Sequence, residues 1–200
     1  MGLLDQEKFF VRQKAKMLEI VAEFAILDEA GTKIGAVTEV GQSKAKKILK
    51  VLASVDQYMT KKFSVVDADG TVIMALERPA KFVKSKVKVM DASGALVGTI
   101  VQQNALGKIR FAFEDPSGAD IGGIFAENLR AWDFRIEDAS KREMGRVTKK
   151  WGGILKESFT VADNYYVEIS PELTGVARQL AFAAAVTVDT ALKSDARGFN

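Results

Sequence analysis

The chain contains no cysteine and no histidine. The first absence excludes disulfides, thiolate metal sites and palmitoylation. The second removes the commonest general base, metal ligand and near-neutral pH switch. No signal peptide is expected, because the apolar run from Met1 to Leu4 is too short and Asp5 follows at once. Gly2 invites N-myristoylation, but Gln6 stands where that motif wants Ser or Thr. Metal-ligand spacing, a phosphate-cradling glycine loop and a serine with a plausible base are all missing, so no enzyme is expected and no cofactor with it. The net charge of +3 is mild and does not by itself argue for nucleic acid. These absences point to a cytoplasmic, non-catalytic protein.

Two hundred residues, 48% hydrophobic and 28% charged, suit one globular domain with a sizeable core. Only one long apolar run lacks strand chemistry: residues 173–192, LTGVARQLAFAAAVTVDTAL. Alanine and unbranched residues favour helix there, and Ser170, Pro171 and Glu172 supply a start signal. Between Leu180 and Val188 only Thr187 is polar. A helix apolar on every face is buried, in protein or in membrane. Arg178, Gln179 and Asp189 interrupt the roughly twenty apolar residues a span needs, so the run reads as a helix enclosed by protein. Arg178 and Asp189 then mark its two ends.

A repeated turn organises the rest. The form D-x-x-G occurs at Asp28–Gly31, Asp67–Gly70, Asp91–Gly94 and Asp115–Gly118, and Asp138–Lys141 takes the same place with its glycine replaced. Asp first and Gly fourth mark a type I turn whose closing residue goes left-handed, and such turns join antiparallel strands. The flanks alternate as half-buried strands do: Phe63 and Val65 against Lys62 and Ser64, Val87 and Val89 against Lys86 and Lys88, Phe134 and Ile136 against Arg135 and Glu137. Gly35, Gly98, Gly122 and Gly145 recur in the outgoing strands, where the backbone bends or meets something closely. A last pair is expected around residues 163–164, with strands at 158–161 and 165–169. Six hairpins give about twelve strands. A sheet of that size must close or split, and a closed one leaves an interior too wide for side chains alone. The apolar helix fills that space. The predicted fold is mainly β: a closed barrel of about twelve antiparallel strands around a buried C-terminal helix. Residues 1–18 are expected to form an N-terminal arm and the approach to the first strand, and residues 19–200 a single barrel domain with core helix 173–192.

Residues 151–164, WGGILKESFTVADN, followed by an apolar helix ending at Val188 and Asp189, resemble the C-terminal signature of the phospholipid scramblase family. The run 145–150, GRVTKK, and the pair Arg78 and Pro79 resemble it too. Residues 10–14, FVRQK, are similar to the related LURP-one group, and both belong with the Tubby C-terminal domain. The resemblance implies a twelve-stranded barrel around a central helix, in agreement with the residues. It also implies a lipid role: calcium-triggered scrambling between leaflets in scramblases, phosphoinositide binding in Tubby domains. The proline-rich extension and cysteine cluster of scramblases have no counterpart here.

Two candidate sites follow. The family's calcium loop falls on residues 161–172 and implies Asp163, Asn164, Glu168 and Glu172 as ligands. Val161 and Tyr166 stand where such a loop wants its first ligand and its central glycine, and the alternation of Tyr165, Val167 and Ile169 reads better as a strand. The second is a basic insertion, residues 41–60, in which Lys44, Lys46, Lys47 and Lys50 are followed by Lys61 and Lys62. Apolar Ala45, Ile48, Leu49, Leu52 and Ala53 interleave at helical spacing, so an amphipathic helix could present these lysines to lipid phosphates. Lys81, Lys84, Lys86 and Lys88 form another basic run, read as a solvated outer face because stacking aromatics are missing. The expected function is a non-catalytic, scramblase-like or Tubby-like module binding anionic phospholipid, peripheral at the inner face of the membrane. Lipid scrambling itself and a purely protein-binding regulatory barrel are the alternatives.

Overall fold

A computed structural model describes residues 2–13, 23–40, 60–79, 85–104, 108–127, 133–149 and 164–187. A 3₁₀ turn, Leu3–Asp5, precedes twelve strands: β1 Lys8–Gln13, β2 Glu23–Leu27, β3 Lys33–Val40, β4 Lys61–Asp67, β5 Val72–Arg78, β6 Lys86–Asp91, β7 Leu96–Gln102, β8 Arg110–Glu114, β9 Asp120–Ala126, β10 Asp133–Asp138, β11 Glu143–Thr148 and β12 Asn164–Ile169. A single described helix, α1 Gly175–Thr187, follows.

The five repeated turns make the five hairpins β2–β3, β4–β5, β6–β7, β8–β9 and β10–β11. In each, the fourth residue donates its N–H to the carbonyl of the leading Asp at 2.9–3.2 Å. The Asp side chain then accepts a second backbone N–H four residues on: Thr32, Thr71, Ala95, Ala119 and Arg142, at 2.8–3.0 Å. Asp is therefore needed for its carboxylate as well as for its turn propensity. The fourth position is left-handed throughout, and Lys141 (φ 66°) adopts there what glycine adopts in the other four. Just beyond every turn the pairing slips by one residue, at Ile26/Leu27, Val65/Val66, Val89/Met90, Phe113/Glu114 and Ile136/Glu137. Such bulges bend and twist a strand, and five of them at one end help to curl the sheet into a cylinder.

Closure comes from the chain ends. β12 pairs with β11 on one side and β1 on the other, and β1 pairs with β2, giving a closed twelve-stranded antiparallel barrel. The expected N-terminal arm and strand approach thus contributes a barrel strand, and β12 sits between the strand that precedes it, β11, and the first strand of the chain, β1. The other expected member of the last hairpin, residues 158–161, lies outside the described residues.

The inward positions of the strands and α1 form one core that includes Phe9, Phe24, Phe111, Phe113, Phe134 and Phe182. Every residue from Leu180 to Thr187 is at most 2% exposed. Helix and barrel meet most intimately at Gly98 of β7, where a Cβ atom would lie 2.9 Å from Leu180 Cδ1 and 2.5 Å from the Glu114 carbonyl. The recurring outgoing-strand glycines are thus places where backbone approaches backbone, and at Gly98 the helix too. Phe182 meets Phe9 with ring centroids 5.2 Å apart. Each such side chain, fully buried, contributes about 1.5–3 kcal/mol. The predicted helix 173–192 begins two residues later than expected, with Leu173 in the preceding turn, and its last predicted residues, 188–192, lie outside the described set.

Candidate functional site

The barrel has two unlike ends. The five tight turns, the 3₁₀ turn and the start of α1 occupy one, here the turn end. At the other, the connection end, β3 stops at Val40 and β4 starts at Lys61, directly paired as Val40↔Lys62. The basic insertion therefore leaves and re-enters the barrel at the connection end. Lys44, Lys46, Lys47 and Lys50 lie outside the described residues. Lys61 and Lys62, adjacent in sequence, point to opposite faces, as strand geometry requires. Lys62 is exposed on the outer wall and pairs with Glu77 at 3.1 Å. Glu77 stands opposite Lys88 of β6 in turn, so Lys62, Glu77 and Lys88 form a row of alternating charge across three strands. Lys86 and Lys88 are both exposed, as the alternation of β6 predicts.

Lys61 turns inward. It is 8% exposed and faces its cross-strand neighbour Arg78, 1% exposed. Gln102 also points inward at this end, where its Oε1 accepts the Ser85 N–H at 2.9 Å. Lys61, Arg78 and Gln102 thus bring polar groups to the inner wall at the connection end. Lys61 is thus an interior lysine rather than a surface one. The alternation of Phe63 and Val65 against Lys62 and Ser64 puts Lys61 on the core face, a signal lost when Lys61 and Lys62 are read together as one basic run.

The implied calcium ligands are spread along β12. Asp163 lies outside the described residues, and the backbone of Asn164 begins the strand at the connection end. Glu168 is exposed on the outer wall, 3.9 Å from Lys8. Glu172 lies past the strand at the turn end and pairs with Arg142 at 3.0 Å. Five strand steps of about 3.3 Å put Asn164 and Ile169 roughly 17 Å apart, whereas calcium draws its oxygens to within about 2.6 Å of one point. The backbone positions of residues 164, 168 and 172 are therefore strung along and beyond the strand rather than gathered around one point. Among the described residues no three carboxylates gather in a metal-binding arrangement.

Arg178, read from the sequence as a mark of the helix end, does more. Its guanidinium donates to five main-chain carbonyls: Leu4 at 2.9 Å, Asp5 at 2.9 Å, Gln6 at 3.0 Å, Ser170 at 3.0 Å and Leu173 at 3.4 Å. The N-terminal turn, the end of β12 and the first turn of α1 are thereby tied across the turn end. Leu3 completes the plug, its Cδ2 lying where a side chain on Gly35 would begin. Nothing in the local sequence predicts this joint, because its acceptors are backbone groups and three of the five, Leu4, Asp5 and Gln6, lie more than 170 residues away.

The turn aspartates carry shifted acidities. A hydrogen bond from the Ser93 hydroxyl holds Asp91 below the usual carboxylate range, and Ser117 does the same for Asp115. In Asp138 the Arg142 backbone N–H is the largest cause of a lowered value. Asp69 is lowered to about 2, chiefly by its bond to Thr71. These are structural caps on exposed turns and have no reacting partner.

No helix among the described residues is long and apolar enough to cross a membrane. No curated protein matches the chain. One protein-family model, Scramblase, matches residues 1–194. That match spans the 3₁₀ turn, all twelve strands and the central helix, and the chain belongs to the scramblase family.

Proposed function

We propose that this protein is a non-catalytic module that binds anionic phospholipid at a membrane surface through the basic insertion and the strand it feeds. The observation that carries the reading is the enclosure of α1. With its apolar helix sealed inside the barrel, the described fold offers lipid its outer wall and its ends rather than a spanning element. Family membership supplies the lipid connection. The lysine chemistry supplies the anionic preference, since an ammonium on a flexible stem contributes on the order of 1 kcal/mol near an anionic surface. Lys44, Lys46, Lys47, Lys50 and Lys62 are the proposed surface contacts, and Lys61 anchors the start of β4 from inside. Calcium has no part in this reading, and the proposed location is peripheral, on a cytoplasmic leaflet rich in anionic lipid.

The test is co-sedimentation with vesicles of neutral phosphatidylcholine and with vesicles containing about 30% phosphatidylserine, at about 50 and 200 mM salt. Binding confined to the anionic vesicles and weakened by salt is expected. Changing Lys44, Lys46, Lys47 and Lys50 together to Glu should abolish it, and undiminished binding by that variant would refute the site. Scrambling by the isolated protein is the second reading, favoured by the family itself. It requires α1 to leave the barrel for lipid, and amide protection of residues 180–187 that persists on vesicles would count against it.

A further inference from the structure

The outer wall of the barrel is not alike all round. Around β10, β11, β12 and β1 it carries ion pairs: Arg135 with Glu127 and Glu137, Arg146 with Asp133 and Glu143, and Lys8 with Glu168. On the opposite side of the ring, from β4 to β7, five outward positions toward the turn end are apolar: Val66, Val72, Ala75, Met90 and Leu96. None belongs to the core or packs against it. They form one sector, since Val66 stands opposite Val72 and Met90 stands opposite both Ala75 and Leu96. Val72 and Leu96 are each 43% exposed, more than single apolar residues on an otherwise polar wall need explaining, and here they are neighbours. The next row toward the connection end is Lys62, Glu77 and Lys88, with Lys86 beyond it. Toward the turn end the sector is bordered by Asp67, Asp69 and Asp91. Along one direction the wall therefore runs basic, apolar, acidic.

That order selects the occupant. An anionic membrane laid on the sector would meet three carboxylates as well as the lysines. A second copy of the chain, turned end for end, meets no such conflict. A half-turn about an axis through the Ala75–Met90 pair, perpendicular to the wall, exchanges the two borders. It carries Lys88 toward the Asp67–Gly70 turn of the second copy and Lys62 toward its Asp91–Gly94 turn, while the apolar positions overlie one another. Twofold symmetry makes each of these contacts twice, and the unbranched Met90 can adapt to the facing surface. We infer that the protein self-associates through the outer wall of β4 to β7 as an antiparallel twofold dimer. Four strands at about 4.8 Å and five residues at about 3.3 Å give a face of roughly 300 Å². A standard interface buries about 800 Å² per partner, so this dimer is weak and exchanges with monomer. It stands independently of the lipid-binding reading, with which it shares only Lys62.

The test is sedimentation velocity of the full chain without lipid, from about 1 to about 300 μM protein and at about 50 and about 500 mM salt. The sedimenting mass should rise from one chain toward two across that range, with association several-fold weaker at the higher salt. Val72→Ser combined with Leu96→Ser should weaken it at least about tenfold. Lys88→Glu and Asp69→Lys each set like charges face to face in the antiparallel dimer, and each should weaken association several-fold. In Asp69→Lys the Asp67 carboxylate still accepts the Thr71 N–H, so the turn keeps its cap. Mixed together, the Lys88→Glu and Asp69→Lys variants should associate as well as the unchanged protein, because both facing pairs are then opposite in charge. That recovery also shows that each variant is folded. A chain that stays monomeric at the highest concentration overturns the dimer. Association untouched by the Val72 and Leu96 changes overturns this surface. A mixture that associates no better than its components overturns the antiparallel arrangement, and with it the charge argument for a second copy.

Discussion

Removing the guanidinium of Arg178 should loosen both the helix and the N-terminal turn. Five carbonyls accept from it, and a hydrogen bond to a charged group contributes about 1.5–3 kcal/mol. Their contributions do not add, because Leu4, Asp5 and Gln6 are consecutive, and water near the barrel rim replaces part of what Arg178→Ala deletes. The equivalent of one to two such bonds should be lost, or about 3 kcal/mol. In a domain of this size each kcal/mol moves the melting temperature by about 2–4 °C, so a drop of about 6–12 °C is expected. Arg178→Lys keeps the charge but not the planar fork and should recover less than half. Urea unfolding of Arg178→Ala, Leu3→Ala and the double variant measures whether Arg178 acts through the N-terminal plug. A coupling of about 1 kcal/mol or more is expected, since both changes release the same turn. A stability loss below about 0.5 kcal/mol in Arg178→Ala, or strict additivity with Leu3→Ala, would refute the joint.

Gly98→Ala should cost about 1–3 kcal/mol by overpacking, and Leu180→Ala added to it should recover only part of that in thermal melts, because the Glu114 carbonyl still blocks the new methyl group. The turn aspartates give an acid limb. Asp91, Asp115 and Asp138 have lowered folded values, so their contribution is present above the unfolded value of about 3.9 and is lost as pH falls through the folded ones. Melting temperatures measured from pH 6 to pH 2.5 should fall mainly below about pH 4, with a shallower fall in the Asp91→Asn, Asp115→Asn variant. Millimolar calcium should leave the melting temperature of the free protein within about 1 °C, since Asn164 and Glu172 sit at opposite ends of β12, and a rise of several degrees would show a site the separation of these residues does not provide.

The hairpins were legible because turn chemistry and alternation agree: an Asp to cap, a left-handed fourth residue, and apolar side chains at every second position. The helix was legible because its run is too apolar and too rich in alanine to sit half-wet. β1 was the hard strand. In residues 8–13 three apolar residues, Phe9, Phe10 and Val11, run consecutively, and all three are buried. Phe9 and Val11 enter the core while Phe10 packs on the other face against Tyr166, ring centroids 5.3 Å apart, so the period of two is erased. The shared site of the calcium-loop residues was a matter of proximity in sequence, and a strand carries sequence neighbours apart.

The joining of β1 to β12 has a consequence for synthesis. A ribosome delivers the five hairpins first, at about 5–20 residues per second, and each can form from neighbouring residues as it emerges. Until residue 164 appears, β1 and β11 remain open edges of an unclosed sheet, and its concave face has nothing to cover it. The final stretch then supplies, in order, the strand that zips the wall, the turn that Arg178 will clasp and the helix that displaces water from the lumen. Premature termination a few dozen codons early would therefore leave a nearly complete set of strands with neither seam nor filling, a species with exposed edges and apolar surface that invites aggregation.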